Sequence, residues 1–293
     1  MKRGYQFIFI SLLSISLAQA NDLENLFKGF LKDKLSRPAQ EQPAANADKH
    51  AEQLLKSLLG GRLSDAEEAR IGRQIAGNLL GAAPLVRDDA LQHYVNQVGR
   101  WVALQSERPE LNWTFGVIDS DAVNAFAAPG GYVFVTSGLY RKLQNEAELA
   151  GVLGHEIGHV ISRHHLKLLQ KSQGIAVLGG VLGKKLKDEH EVVQNLIGNG
   201  AEVFARGLDK TAEHEADRIG VVLGVRAGYD GFALPAVLAE IGHVARNDQS
   251  VSLLFKTHPL PEDRLGHLSA ALGDKLDTMS QGQTGAGRFY RLR

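Results

Sequence analysis

The residues with the clearest chemistry in this chain are His155-Glu156-Ile157-Gly158-His159. Residues four apart share one face of a helix, so both imidazoles can reach a single metal ion, and the pattern is that of a zinc site. Glu156 follows the first histidine and is placed to take a proton from a water whose pKa the metal lowers. The same five residues also read as two surface histidines and an exposed carboxylate. Against that, Val152, Leu153, Val160 and Ile161 flank the motif and mark a core helix, where unpaired His and Glu are costly. A catalytic zinc needs a third protein ligand and one open position. Downstream stands Glu213-His214-Glu215-Ala216-Asp217-Arg218. Glu213 and Asp217 share a face, which suits Glu213 as the third ligand and Asp217 as the group that hydrogen-bonds the far nitrogen of a ligand histidine. Alone, that segment is an ordinary charged helix start; beside the first motif it completes a site for one zinc ion per chain.

Composition bounds what else the chain can be. Lys+Arg and Asp+Glu are both 33 in 293 residues, so no global basic field favours nucleic acid. There is no cysteine, which excludes disulfides, thiolate metal sites and thiol catalysis. With 44% hydrophobic and 23% charged residues the chain can build a core of normal size. Lys2 and Arg3, the apolar run Phe7 to Leu17 and Ala18-Gln19-Ala20 read as a cleaved secretory signal over residues 1–20. The run is well short of the ~20 residues that span a bilayer. The mature chain is therefore expected to be exported. Residues 21–62 read as an N-terminal segment and linker, 63–273 as the domain that carries the motifs, and 274–293 as a Gly- and Gln-rich tail expected to fray.

These motifs need elements to hold them. Ser64-x-x-Glu67 is a capping-box pattern that opens a helix to about Leu80, and Asp88 to Gln105 reads as a second. Trp113 to Ile118 and Tyr132 to Thr136 read as strands, with a turn at Pro129-Gly130-Gly131. Glu146 to about Leu169 reads as one long helix, and Asp209 to about Ala227 as another. The expected fold is mainly α with a small β-sheet (α+β) lying along the H-E-x-x-H helix. Gly151, Gly154 and Gly158 on that helix, and Gly220 and Gly224 on the later one, suggest two glycine stripes that face each other and set the ligand distance.

Taken together, the residues resemble the gluzincin metallopeptidases of the CAAX-prenyl-protease and HtpX heat-shock-protease type, and most of all the soluble periplasmic members linked to outer-membrane protein quality control. The likeness runs from about Leu63 to Leu268. Besides the zinc motifs it includes Asn124-Ala-Phe-Ala-Ala-Pro-Gly-Gly131, Val133-Phe-Val-Thr136 with Gly138-Leu139, and Thr257-His258-Pro259 followed by Arg264. The resemblance implies a zincin-like fold, with His155, His159 and Glu213 as zinc ligands, Glu156 as base and Asp217 behind them. It also implies an endopeptidase acting on unfolded or misassembled envelope proteins, with outer-membrane assembly machinery as a partner to test. Integral-membrane relatives carry transmembrane helices; this sequence holds no such run.

Several readings stay open at this stage. His258 or Arg264 would supply the second donor to a developing oxyanion, and the sequence does not choose between them. His258 is read as a fourth ligand that latches the resting site, as a substrate-side group, or as part of a His-Pro turn. Asn124, Ala125 and Phe126 are read either as substrate-binding positions on an edge strand, where an extended peptide pairs through its backbone, or as a plain loop and hairpin. His164, His165 and His190 are read as surface or supporting residues rather than a further metal site. Gly174 to Gly200 is read as a lid or an apolar contact surface. The rival functions are a periplasmic chaperone or assembly factor with latched or vestigial peptidase activity, a zinc amidase of cell-wall peptides, and a protein whose zinc only holds the fold.

Overall fold

A computed structural model describes residues 63–171, 208–244 and 248–292. The leader and linker readings, most of the Gly174–Gly200 segment's flanks, that segment itself and His190 lie outside the described residues.

Helix α1 (Asp65–Ala82) opens on the expected capping box: Ser64 Oγ accepts from the Glu67 backbone N–H, and the Glu67 carboxylate accepts from the Ser64 N–H. Helix α2 (Asp89–Ala103) is capped by the Asp88 side chain. Three short strands follow: β1 (Thr114–Ile118), β2 (Ala125–Ala128) and β3 (Tyr132–Thr136). Their order is β1-β3-β2, with β1 parallel and β2 antiparallel to β3. Strand periodicity sorts the sheet into two faces. Ile118, Phe126 and Phe134 pack against Ala76, Leu79 and Leu80 of α1. Phe115, Val117, Ala125, Ala127, Val133 and Val135 belong to the main core on the other face.

The two edges of this sheet are treated differently. The outer side of β1 is closed by α2: Gln92 Nε2 donates to the Val117 carbonyl at 2.9 Å while its Oε1 accepts from the Val117 N–H at 2.8 Å. Asn96 Oδ1 accepts from the Phe115 N–H at 3.1 Å. Strand β2 instead packs along the motif helix, and its Ala125 N–H donates to Asn124 Oδ1 at 3.0 Å.

After a short helix α3 (Ser137–Lys142), helix α4 (Glu146–Ile161) carries the H-E-x-x-H residues and is buried along nearly its whole length. Helix α5 (Lys210–Arg226) runs antiparallel to it, so that Gly158 meets Ala216 and Gly154 meets Gly220. A Cβ on Gly220 would stand 2.8 Å from the His155 backbone nitrogen, and one on Gly154 2.9 Å from the Gly220 carbonyl oxygen. The facing stripes are thus confined to Gly154, Gly158 and Gly220. Gly151 instead meets Leu234, and a Cβ on Gly224 would meet nothing within 4 Å. Gly220→Leu is expected to cost about 1–3 kcal/mol or more through overpacking and to weaken zinc binding; unchanged zinc affinity in a folded variant would show that this gap does not set the ligand spacing.

Among the described residues there follow α6 (Ala233–Gly242), which packs on α4, α7 (Gln249–Thr257), α8 (Pro261–Leu272), which packs on α5 and α6, and α9 (Lys275–Thr278). No described helix is long and apolar enough to cross a membrane.

Two further expectations are corrected. The long helix from Glu146 does not run unbroken to Leu169. It stops at Ile161, Arg163 takes φ 55°, and helix resumes over residues 164–171. The C-terminal tail does not fray within the described residues. Phe289 is buried and stacks on Tyr140 at 5.3 Å. Arg288 Nε donates to the buried Glu146 carboxylate at 2.6 Å, and the Ala147 N–H to the Thr284 carbonyl at 2.9 Å. The Gly and Gln content conceals the aromatic anchors Phe289 and Tyr290, which pack against Tyr94 and Tyr140, while Arg288 and Thr284 tie the tail to the first turn of α4.

Candidate metal centre

His155 and His159 stand one turn apart on α4 with their ring planes at 88° and their Nε2 atoms 3.0 Å apart. Glu213, in the first turn of α5, brings its carboxylate to 3.6 Å from His155 Nε2 and 3.4 Å from His159 Nε2. His258, at the C-terminal end of α7, adds its Nε2 at 3.9 Å from the same carboxylate. Among the described residues these four form the one group with metal-ligand spacing, their donor atoms all within 4.8 Å of one another.

The donor set fits a zinc ion. Four ligands at roughly 2.0–2.1 Å in a tetrahedron stand roughly 3.3 Å from one another, close to the spacings found. Both Glu213 oxygens are fully buried and have no hydrogen-bond partner among the described residues. Burial drives the Glu213 carboxyl well above its ordinary range and holds the His155, His159 and His258 imidazoles below theirs. Neutral imidazoles around a carboxylate with no donor are what a cation would complete.

Behind the donors the support is specific. His155 Nδ1 lies 2.9 Å from Asp217 Oδ1, so its Nδ1–H donates to that carboxylate and its Nε2 lone pair faces the centre. Asp217 is in turn held by Arg264 of α8, whose Nε donates to Oδ2 at 2.9 Å and whose Nη2 donates to Oδ1. Burial works upward on Asp217, but the Arg264 guanidinium beside it holds the carboxyl well below the carboxylate range. Arg264 thus directs its Nε and Nη2 to Asp217. His159 Nδ1 has a different partner, His164 Nδ1 at 2.9 Å.

Glu156 is buried next to His155 and stands outside the donor group. Burial pushes its carboxyl up to about 8, a value from which it can both take and return a proton near neutral pH.

A family model for peptidase family M48 matches residues 89–272, which include every residue of this centre. The chain belongs to peptidase family M48. Similar curated members of M48 and related proteins include the beta-barrel assembly-enhancing proteases of Escherichia coli strain K12 and Yersinia pestis, 34% and 33% identical over 213 residues. Those alignments cover 70% of this chain but 44% of each relative, so the chain matches less than half of their length. The mitochondrial metalloendopeptidase OMA1 of Arabidopsis thaliana is 31% identical over 170 residues, 58% of this chain and 33% of that protein. The gluzincin resemblance and the α+β fold expected from the sequence therefore hold.

The M48 fold brings His155, His159, Glu213, Asp217, His258 and Arg264 together and sets Glu156 beside them. It treats the strand positions less evenly. Asn124 is fully buried; its carbonyl accepts from the Thr136 N–H at 3.0 Å, and its Oδ1 accepts from the Ala125 N–H at 3.0 Å. That pairing sets the phase of the ladder, so the Phe126 peptide faces β3 while those of Ala125 and Ala127 turn away from it. The Phe126 ring packs towards α1. Ala127, which the sequence reading left out, thus shares the outer line of β2 with Ala125; a strict alternation rule applied to Asn124-Ala-Phe-Ala would have paired them.

Proposed function

We propose that this chain is an exported zinc-dependent endopeptidase that hydrolyses peptide bonds in unfolded or misassembled envelope proteins. The observation that carries the reading is the convergence of three imidazole Nε2 atoms and the unpartnered Glu213 carboxylate, with buried Glu156 beside them. His155, His159 and Glu213 would hold the zinc. When bound, zinc supplies a Lewis acid that polarises a carbonyl and lowers the pKa of a water. Glu156 takes the proton of the attacking water and returns it to the leaving amine. Asp217 keeps His155 in the tautomer that offers Nε2, and Arg264 keeps Asp217 ionised and in place. An extended substrate pairs with the outer line of β2 through the Ala127 N–H and the carbonyls of Ala125 and Ala127, the Ala125 N–H being taken by Asn124 Oδ1; backbone pairing reads little side-chain identity, which suits unfolded chains. The names of the bacterial relatives favour β-barrel assembly as the setting, and the leader over residues 1–20 favours the periplasm.

The test is direct. Residues 21–293, purified, should bind one zinc per chain and cleave unfolded casein, with cleavage lost in Glu156→Gln. Zinc without cleavage in either form would favour the chaperone or assembly-factor reading, or a latched enzyme.

The position of His258 favours the latch. As a fourth protein donor its Nε2 would take the place that a catalytic site leaves for water. Its Nδ1 lies 2.9 Å from Thr257 Oγ1, and an extended residue at the end of α7 carries it, so a change at one backbone position would withdraw it. His258→Ala is expected to raise casein cleavage several-fold with zinc retained. Loss of cleavage with zinc still bound would assign His258 to the substrate side.

A further inference from the structure

The two motif histidines are supported in different ways, and the difference constrains where protons must sit. Behind His155 stands a carboxylate. Behind His159 stands another imidazole, His164, buried at 5% exposure with its Nδ1 2.9 Å from His159 Nδ1. The far nitrogen of His164, Nε2, lies 3.5 Å from Glu215 Oε2 of α5, and the other oxygen of Glu215 accepts from Ser162 Oγ at 3.0 Å.

Two Nδ1 atoms facing each other share one proton, and only one placement leaves His159 able to bind a metal through Nε2. If His164 Nδ1 carried the proton, the neutral His159 would hold its own on Nε2, which faces the metal. If His159 carries it, Nε2 is a free lone pair and His164 must be protonated at Nε2. Glu215 selects the second arrangement, because a carboxylate beside His164 Nε2 accepts a hydrogen and offers none. We propose that His164, oriented by Glu215, is the positioning residue that fixes His159 as an Nε2 metal ligand. The inference rests on the metal reading of the centre.

The backbone is built for this contact. A helix continued through Ser162 and Arg163 would carry residue 164 past His159. Arg163 instead takes the left-handed conformation, which is costly for a residue with a side chain and persists where its surroundings hold it. Here they do. Arg163 Nη2 pairs with Asp65 at 2.7 Å, and its Nε pairs with the fully buried Glu68 at 3.1 Å. Glu68 is held further by Arg108 at 2.9 Å and by the Gly130 N–H of the β2–β3 turn at 3.2 Å. The knot therefore joins α1, the hairpin of the outer strand and the turn that folds His164 back over His159.

The test measures zinc affinity by competition with a chromogenic chelator, on residues 21–293. His164→Phe fills the space without an acceptor and is expected to raise the zinc Kd about 10–100-fold. His164→Gln, whose amide oxygen can accept the His159 Nδ1–H, should recover most of that loss. A folded His164→Phe that binds zinc like the parent would overturn the proposal. Nitrogen-15 NMR of the zinc-loaded parent gives a reading that needs no variant: His159 should carry its proton on Nδ1 and His164 on Nε2, and a His164 protonated on Nδ1 overturns the proposal. His159→Ala separates the two levels of inference. If it keeps the parent's zinc affinity, the metal reading itself fails; if it loses zinc while His164→Phe does not, only the role of His164 fails.

Discussion

Glu156→Gln is expected to lower kcat/KM on unfolded casein by about 10²–10⁴-fold, the contribution of a positioned general base, while one zinc per chain is retained. The two halves of that result come from separate features. Glutamine is nearly isosteric with glutamate, so a side chain packed inside α4 at 3% exposure is replaced without a cavity. An amide takes no proton at neutral pH, so the step that turns water into a nucleophile is lost. The metal should stay, because Glu156 is not among the four convergent donors. A variant that keeps its zinc and loses less than about tenfold would assign the base elsewhere.

Removing Arg264 is expected to have the largest effect on stability. Its guanidinium is buried between α5 and α8, and it holds Asp217 through two hydrogen bonds. Arg264→Leu leaves a buried carboxylate whose remaining partner is a neutral histidine, a loss of about 3–5 kcal/mol. For a domain of this size that is a fall of roughly 6–20 °C in Tm. The same variant should bind zinc more weakly, because Asp217 loses the group that holds it against His155. Adding Asp217→Asn removes the stranded charge and should recover part of the Tm, but not of the zinc affinity. The interaction also has a pH signature. Arg264 holds the folded-state carboxyl of Asp217 below its ordinary value of 3.8, so its contribution is present above that pH and is lost as the pH falls through the lower, folded value. Arg264→Leu should flatten that acid limb. An Arg264→Leu protein with the parent's Tm would show that Asp217 is not ionised in the fold.

Much of this centre was legible because its information is local. The spacing of His155 and His159 converts directly into a shared helical face, and so does that of Glu213 and Asp217. The capping box at Ser64 and the turn at Pro129-Gly130-Gly131 need no partner beyond a few residues of chain. Alternation within β1 and β3 was enough to expect a small sheet.

What went unread depends on distant contacts. The break at Ser162-Arg163 has no glycine or proline to announce it; it exists because Asp65 and Glu68, about a hundred residues earlier, pair with Arg163. The composition of the tail suggests fraying, and only the packing of Phe289 on Tyr140 and of Arg288 on Glu146 overrides it.

The sequence by itself therefore determined the family, through the motifs that resemble it, and the residues to propose as ligands and base, through side-chain chemistry at helical spacing. The tertiary structure decided that His258 joins the donors, that Arg264 serves Asp217, that Ala127 rather than Phe126 lies on the outer line with Ala125, and that His164 stands behind His159. Each of those depends on how two elements far apart in the chain are docked, and a side chain's partner across such a contact is set by packing rather than by its neighbours in sequence.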